Sequence, residues 1–306
     1  MDLNFTPEQD ALREQARAFL AEHSEPSWRE LAALGWTGVS IAEEDGGAGL
    51  TFVEEAVLFE ELGRALYRGP YFSTIAVALP ALPSDLRAEV ASGEASWTLA
   101  FGPLVPDLDT ADRVAIVGGD GIYELEGAER ELLATTDETR PLGVVRGGEP
   151  GRRLADASVL EEVRSRSLAA LAIEACGVAR RALELAIGHA ATREQFGKPI
   201  GVYQAVSHPL ADAYTRVELA RSLSLWAAWC VSEDDEQAAV AAAATGSIRA
   251  PGSSPSTFNL MKGESAMRLA ARPISSTSPP LTVTAVRSRG GRGTPHRVAT
   301  ETSRRL

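Results

Sequence analysis

The sequence predicts a mainly α protein with a small β middle domain. Three observations carry this. Residues 164–193 and 204–231 repeat apolar side chains at helical spacing, and so do shorter stretches near the N-terminus. Residues 96–146 instead hold short β-branched or aromatic runs. Gly118-Gly119-Asp120-Gly121 joins two of those runs in the manner of a hairpin turn. The expected division is an N-terminal helical domain at 1–94, a shortened, reduced β-barrel-like domain at 95–157, a truncated C-terminal helical bundle at 158–245 and an atypical basic tail at 246–306.

The first helix begins at Thr6-Pro7-Glu8-Gln9. Thr6 caps it, Pro7 suits the first helical position and Gln9 completes a capping box. Leu12, Ala16, Phe19 and Leu20 form its buried stripe, and His23 ends it, where a cation suits the helix dipole. Further helices are expected at 27–34, 52–67, 71–82 and 84–91, and strands at 96–101, 113–117, 122–126 and 142–146. No helix pattern follows the glycine-rich turn, so it is not read as a phosphate cradle. The long helix at 164–193 is expected to turn Leu168, Leu171, Ala175, Val178, Ala182, Leu185 and Ala186 inward. The next helix, 204–231, carries Trp226 and Trp229 on one face, as core or interface aromatics. Pro209 is tolerated there if the helix starts near Val206. A third helix is expected at 236–244.

Composition narrows the function classes. The chain has 306 residues, enough for two or three structural units, and a net charge of −12, which disfavours nucleic acid as a partner. Cys176 and Cys230 are too few for a disulfide framework and are read as reduced core thiols, with a cytoplasmic location. No signal peptide, lipidation motif or membrane-length apolar run is found, so no membrane partner is expected. His23, His189, His208 and His296 lack partners at ligand spacing, and no metal site is assigned.

The densest information lies at residues 190–212, AATREQFGKPIGVYQAVSHPLAD. Arg193, Gln195 and Phe196 stand where one helix ends, before Gly197-Lys198-Pro199 breaks the run. Arg offers an always-charged planar fork for phosphate oxygens. Gln bonds an adenine edge or a phosphate, and Phe covers an apolar ring face. The ordered set Arg193, Gln195, Phe196, Gly197, Ile200, Gln204, His208, Ala211, Asp212 resembles the helix–loop–helix of the acyl-CoA dehydrogenase family. A second stretch, residues 28–82, is similar to that family's N-terminal domain through Leu34, Gly35, Trp36, Gly38, Glu43 or Glu44, Gly46, Gly47, Gly49 and Glu60-Glu61-Leu62-Gly63. Ala42 stands where a Pro is usual. Gly46, Gly47 and Gly49 are expected to supply positive φ in a tight loop. The resemblance covers roughly residues 1–245.

The resemblance implies FAD as cofactor, with Arg193, Gln195, Phe196 and Gln204 at the pyrophosphate and adenine end of an FAD lent by an adjacent subunit. It implies α,β-dehydrogenation of an acyl-CoA thioester, a sterol side chain or other bulky acyl group included, with electrons passing to an electron-transfer flavoprotein. Departures matter as much. In the family, the strand similar to 96–101 is followed by a flavin-covering loop and two more strands. Here only Gly102, Pro103 and Leu104 precede Val105-Pro106-Asp107. The position at which some members carry a catalytic Glu is Ser167, and Glu161, Glu162 and Glu174 nearby are expected to be solvated or capping acids. The catalytic base is therefore unassigned. The chain most resembles the short subunit of hetero-oligomeric acyl-CoA dehydrogenases, pairing with a longer subunit, itself, or both. Two other readings stay open: a non-catalytic interaction subunit of the same fold, and a related flavin-dependent monooxygenase.

The tail departs most. Residues 246–306 carry nine Arg and Lys262 against Glu264 and Glu301, a charge of +8 that leaves −20 on the rest. Two accounts fit: a disordered basic extension, or text read out of frame after residue 246. The second is favoured, because a bundle cut midway exposes an apolar face.

Overall fold

A computed structural model describes residues 5–235, 237, 238, 240 and 241 of the chain. The expected tail lies outside the described residues. So does most of the helix expected at 236–244, of which Ala238, Val240 and Ala241 are described and helical.

Helix α1 (Pro7–Glu22) starts with the capping box read from the sequence: the Gln9 amide N–H donates to Thr6 Oγ1 at 3.3 Å and the Thr6 N–H to Gln9 Oε1 at 3.1 Å. Helices α2 (Trp28–Ala33) and α3 (Phe52–Ala65) are capped the same way by Ser27–Glu30 and Thr51–Glu54. Between them Gly46 and Gly49 take φ of +82° and +62°. Gly47 does not; it is required for room, since a Cβ there would strike the carbonyl oxygens of Ile41 and Gly38. The helix expected at 71–82 is a wide π-helical segment, Phe72–Ala78, followed by a tight turn at Leu79–Ala81, because Pro80 cannot continue a regular ladder. Helix α4 (Ser84–Ala91) follows.

Strands β1 (Trp97–Ala100), β2 (Val105–Pro106), β3 (Arg113–Val117), β4 (Gly121–Glu126), β5 (Glu129–Leu132), β6 (Leu142–Arg146) and β7 (Glu149–Asp156) form two sheets. One has the order β1-β3-β4-β7, with β1 and β3 parallel and the other pairs antiparallel; the second has the order β2-β6-β5. The expected hairpin is present, with Val117 opposite Ile122. Strands β2, β5 and β7 were not expected. β5 is wholly exposed and β7 mostly so, and strands that bury little lack the apolar alternation that marks a strand.

One apolar core runs from Ala16 and Leu20 of α1 through Trp36, Phe59, Tyr71 and Trp97 to Val163, Ile173 and Ala227, with Trp226 and Trp229 packed against it. Helix α5 (Leu160–Thr192) lies across α3 and the π segment, and α6 (Gln204–Ser232) packs on α5. Leu168 packs on the core as expected. The rest of the expected inward stripe does not: Leu171, Ala175, Val178, Ala182, Leu185 and Ala186 are exposed, Leu185 by 57 %. The buried line is Val163, Ala170, Ile173, Cys176, Gly177, Leu183 and Ala190. Helix α5 carries Ala and Leu on more than one face, so periodicity admits both stripes; α3 fits against the one that contains Gly177. Cys176 and Cys230 are both buried and unbridged.

Helix α6 begins at Gln204, before the point that would make Pro209 harmless. Pro209 therefore sits in the second turn and leaves the Ala205 carbonyl without its helical donor. Pro209→Ala is expected to add about 1 kcal/mol of stability, read as a higher urea midpoint at unchanged slope.

Three carboxylates of α3 are buried and each meets arginine. Glu55 accepts from Arg166 at 2.7 Å and from the Ser40 hydroxyl. Glu60 accepts from Arg221 at 2.7 Å and Arg180 at 3.4 Å, and Glu61 from Arg17 at 2.5 Å. These pairs connect α3 to α1, α5 and α6. No described helix is long and apolar enough to cross a membrane.

Candidate functional site

Helix α5 stops where Arg193 takes an extended conformation while its N–H still donates to His189 O at 2.8 Å. The connection to α6 is a hairpin rather than the plain loop expected. Strands β8 (Glu194–Gln195) and β9 (Lys198–Pro199) pair antiparallel, Gln195 opposite Lys198. The two turn residues, Phe196 and Gly197, have φ of +54° and +72°. Positive φ at both central positions defines the type I′ turn of a tight hairpin. Gly197 adopts it freely, whereas at Phe196 it costs roughly 1–2 kcal/mol. An aromatic ring is thus held in a strained position and 91 % exposed.

The hairpin is fastened from below. Ile200 N–H donates to Arg193 O at 2.8 Å and the Tyr203 hydroxyl to Gln195 O at 3.1 Å. The Tyr203 ring meets Phe196 edge-on at 6.4 Å. Tyr203 escaped sequence reasoning, although an aromatic just before a helix start is the available signal. The side chains of Arg193, Gln195 and Gln204 are exposed. Gln195 donates its amide to Glu194 O at 2.8 Å, and Gln204 is the first residue of α6. Among the described residues no carboxylate pairs with the Arg193 guanidinium. Arg193, Gln195 and Phe196 therefore share one hairpin at the end of the α5–α6 pair, and Gln204 opens the helix that follows it.

This arrangement suits a dinucleotide. An uncompensated guanidinium supplies the charge and geometry a pyrophosphate needs, and an exposed ring supplies a stacking face. The residues present fit one wall of such a site. Between β1 and β2 only residues 101–104 intervene, so the described strands offer no long loop to cover a flavin ring.

Ser167 is buried, donates to Val163 O at 2.6 Å and lies 3.4 Å from Ala76 O. It has no proton-accepting carboxylate at that point. Glu161 and Glu162 are exposed in the first turn of α5, the solvated position expected of them, and neither caps the helix. Glu174 overturns its expectation. Its side chain is 17 % exposed, ion-paired with Arg140, and burial pushes its pKa up. It lines a cavity of about 10 Å³ with Tyr67, Tyr71, Phe72, Asp107, Thr139 and Arg140.

Comparison with known proteins bears on the family and the fold. Residues 6–82 match the profile described as "Acyl-CoA dehydrogenase, N-terminal domain" and residues 164–246 that of "Acyl-CoA dehydrogenase, C-terminal domain". Acyl-CoA dehydrogenase IpdE2 of Mycolicibacterium smegmatis is 31 % identical over 237 residues, covering 71 % of this chain and 75 % of that protein. Acyl-CoA dehydrogenase FadE34 of Mycobacterium tuberculosis is 35 % identical over 262 residues; the match takes in 78 % of this chain but only 37 % of that relative. Among solved structures, a Tcur3481-Tcur3483 steroid ACAD variant is 28 % identical with a TM-score of 0.69, covering 78 % of this chain and 82 % of that one. The ChsE4-ChsE5 complex from Mycobacterium tuberculosis, 23 % identical with a TM-score of 0.70 over 80 % of this chain and 83 % of that one, shares the fold. Fold, motif order and relatives together place the chain in the acyl-CoA dehydrogenase family.

Proposed function

We propose that this chain is the short subunit of a hetero-oligomeric, cytoplasmic acyl-CoA dehydrogenase and completes an FAD site at a subunit boundary. One observation carries this reading: on a hairpin braced from beneath, Arg193 is displayed with no carboxylate partner among the described residues and Phe196 is 91 % exposed. In this reading Arg193 grips the pyrophosphate, Phe196 covers the adenine face, and Gln195 and Gln204 bond the polar edges. A longer subunit of the same family holds the flavin ring and supplies the base. Bound FAD would accept hydride in the α,β-dehydrogenation of an acyl-CoA thioester, and electrons would leave to an electron-transfer flavoprotein. The likeness to the Tcur3481-Tcur3483 steroid ACAD favours a bulky, sterol-derived acyl group. The division of domains at residues 94, 157 and 245 is part of the same proposal.

The test is co-expression with a longer, complete subunit of the same family. The lone chain is expected to purify colourless and the pair yellow. Arg193→Ala is expected to leave assembly intact and weaken FAD retention about 10- to 100-fold, the loss of charge-assisted phosphate bonds. Stoichiometric FAD on the lone chain would favour the monooxygenase or another self-sufficient reading. A colourless pair would favour a non-catalytic subunit.

A further inference from the structure

Residues 133–141 form an irregular strap between β5 and β6, and one side chain fastens it to the helices. The Arg140 guanidinium lies over the Phe72 ring at 4.5 Å and is ion-paired with Glu174 of α5. Behind it is the cavity of about 10 Å³, the size of a single water. Asp107, 1 % exposed, faces this space. Its carboxylate accepts one hydrogen bond among the described residues, from Ser73 N–H at 3.3 Å, and its own N–H donates to Pro141 O of the strap at 3.0 Å. The Tyr67 hydroxyl, also on the cavity, makes no hydrogen bond to a described residue.

The charged and titratable groups facing Asp107 are Arg140 on the strap, Glu174 on α5 and Tyr67 just after α3; on its own segment Asp109 is turned to Arg68 at 2.9 Å. With Asp107 ionised, two carboxylates share one guanidinium around a space the size of one water, and an unbalanced negative charge is buried at Asp107. With Asp107 protonated, the charges cancel and the carboxyl can donate to a water shared with Tyr67.

We propose that this junction is a proton-operated catch: a protonated Asp107 and one bound water hold the strap 133–141 closed, and loss of the proton lets it open to solvate the carboxylate. Burial supports this by pushing the Asp107 pKa up to about 6 from 3.8. The open state binds fewer protons than the closed one between those values. Opening should therefore rise about tenfold per pH unit from about pH 4 to 6 and level off above 6.

The experiment is amide exchange on the full chain from about pH 4.5 to 7.5, corrected for intrinsic rates. It reads the amides of residue 107, bonded to Pro141, and Ser73, bonded to Asp107. The wild type is expected to follow that curve. Asp107→Asn, which keeps the acceptor for Ser73 and cannot ionise, is expected to stay protected and flat. Glu174→Gln removes the second carboxylate and is expected to move the wild-type midpoint to lower pH. A flat wild-type profile, an Asp107→Asn profile that copies the wild type, or a Glu174→Gln midpoint that does not move would each overturn the proposal.

Discussion

Arg166→Ala is expected to destabilise the chain by about 3–5 kcal/mol, measured as a lowered urea midpoint near neutral pH. Glu55 is 1 % exposed on α3, and Arg166 of α5 is its charged partner at 2.7 Å. The same guanidinium lies 4.7 Å from the Phe52 ring centroid. Burial raises the Glu55 pKa, and Arg166 is the chief force opposing that shift. Truncating Arg166 leaves a carboxyl that must protonate or draw in water, and removes a cation from the face of Phe52. The loss should come from the orphaned charge rather than from the missing contact. Replacing both residues with methionine is therefore expected to recover most of it, because a buried ion pair exchanged for well-packed apolar groups is often close to neutral. A double-mutant cycle separates the two accounts: strong coupling supports the orphaned-charge explanation, and simple additivity would refute it.

Gly177→Ala is expected to cost about 3 kcal/mol or more, read as a fall in both urea midpoint and Tm. Gly177 of α5 and Gly63 of α3 lie where the two helices cross. A Cβ on Gly177 would overlap the Glu60 carbonyl oxygen, and one on Gly63 the Glu174 carbonyl oxygen. Both obstacles are backbone, so neither can rotate aside. The helices must separate, and separation also disturbs the ion pairs from Glu60 to Arg180 and Arg221. Gly188→Ala is the control: it sits on the same helix with nothing near its Cβ position, and it should be neutral or slightly stabilising. An unchanged Gly177→Ala midpoint would mean that the crossing is looser than its backbone contact indicates.

Much of the fold was legible because local rules and burial agree there. Thr6, Ser27 and Thr51 each stand before a residue that returns the capping bond, and all three helices start where those residues place them. Strands β1, β3, β4 and β6 announce themselves through Trp97, Val114, Ile116, Ile122, Tyr123 and Val144, aromatic or β-branched residues in short runs. Strands β5 and β7 do not, since solvent asks nothing of their side chains. The candidate cofactor residues Arg193, Gln195, Phe196 and Gln204 were legible through their order. The type I′ hairpin was not, because a Phe at positive φ contradicts local preference and persists only when its surroundings hold it there.

Sequence alone determined the starts of α1, α2 and α3, the central strands and the order of residues that marks the family, because each depends on near neighbours or on short-range alternation; α5, expected from 164, begins at Leu160. Tertiary structure alone decided which face of α5 is buried, since an alanine-rich helix offers several apolar faces and only the crossing with α3 at Gly63 and Gly177 selects one. It likewise decided that Glu174 pairs with Arg140 and lines one pocket with Asp107 instead of standing fully in water. Those partners are far apart along the chain, and the energy of a charge is set by what surrounds it in space.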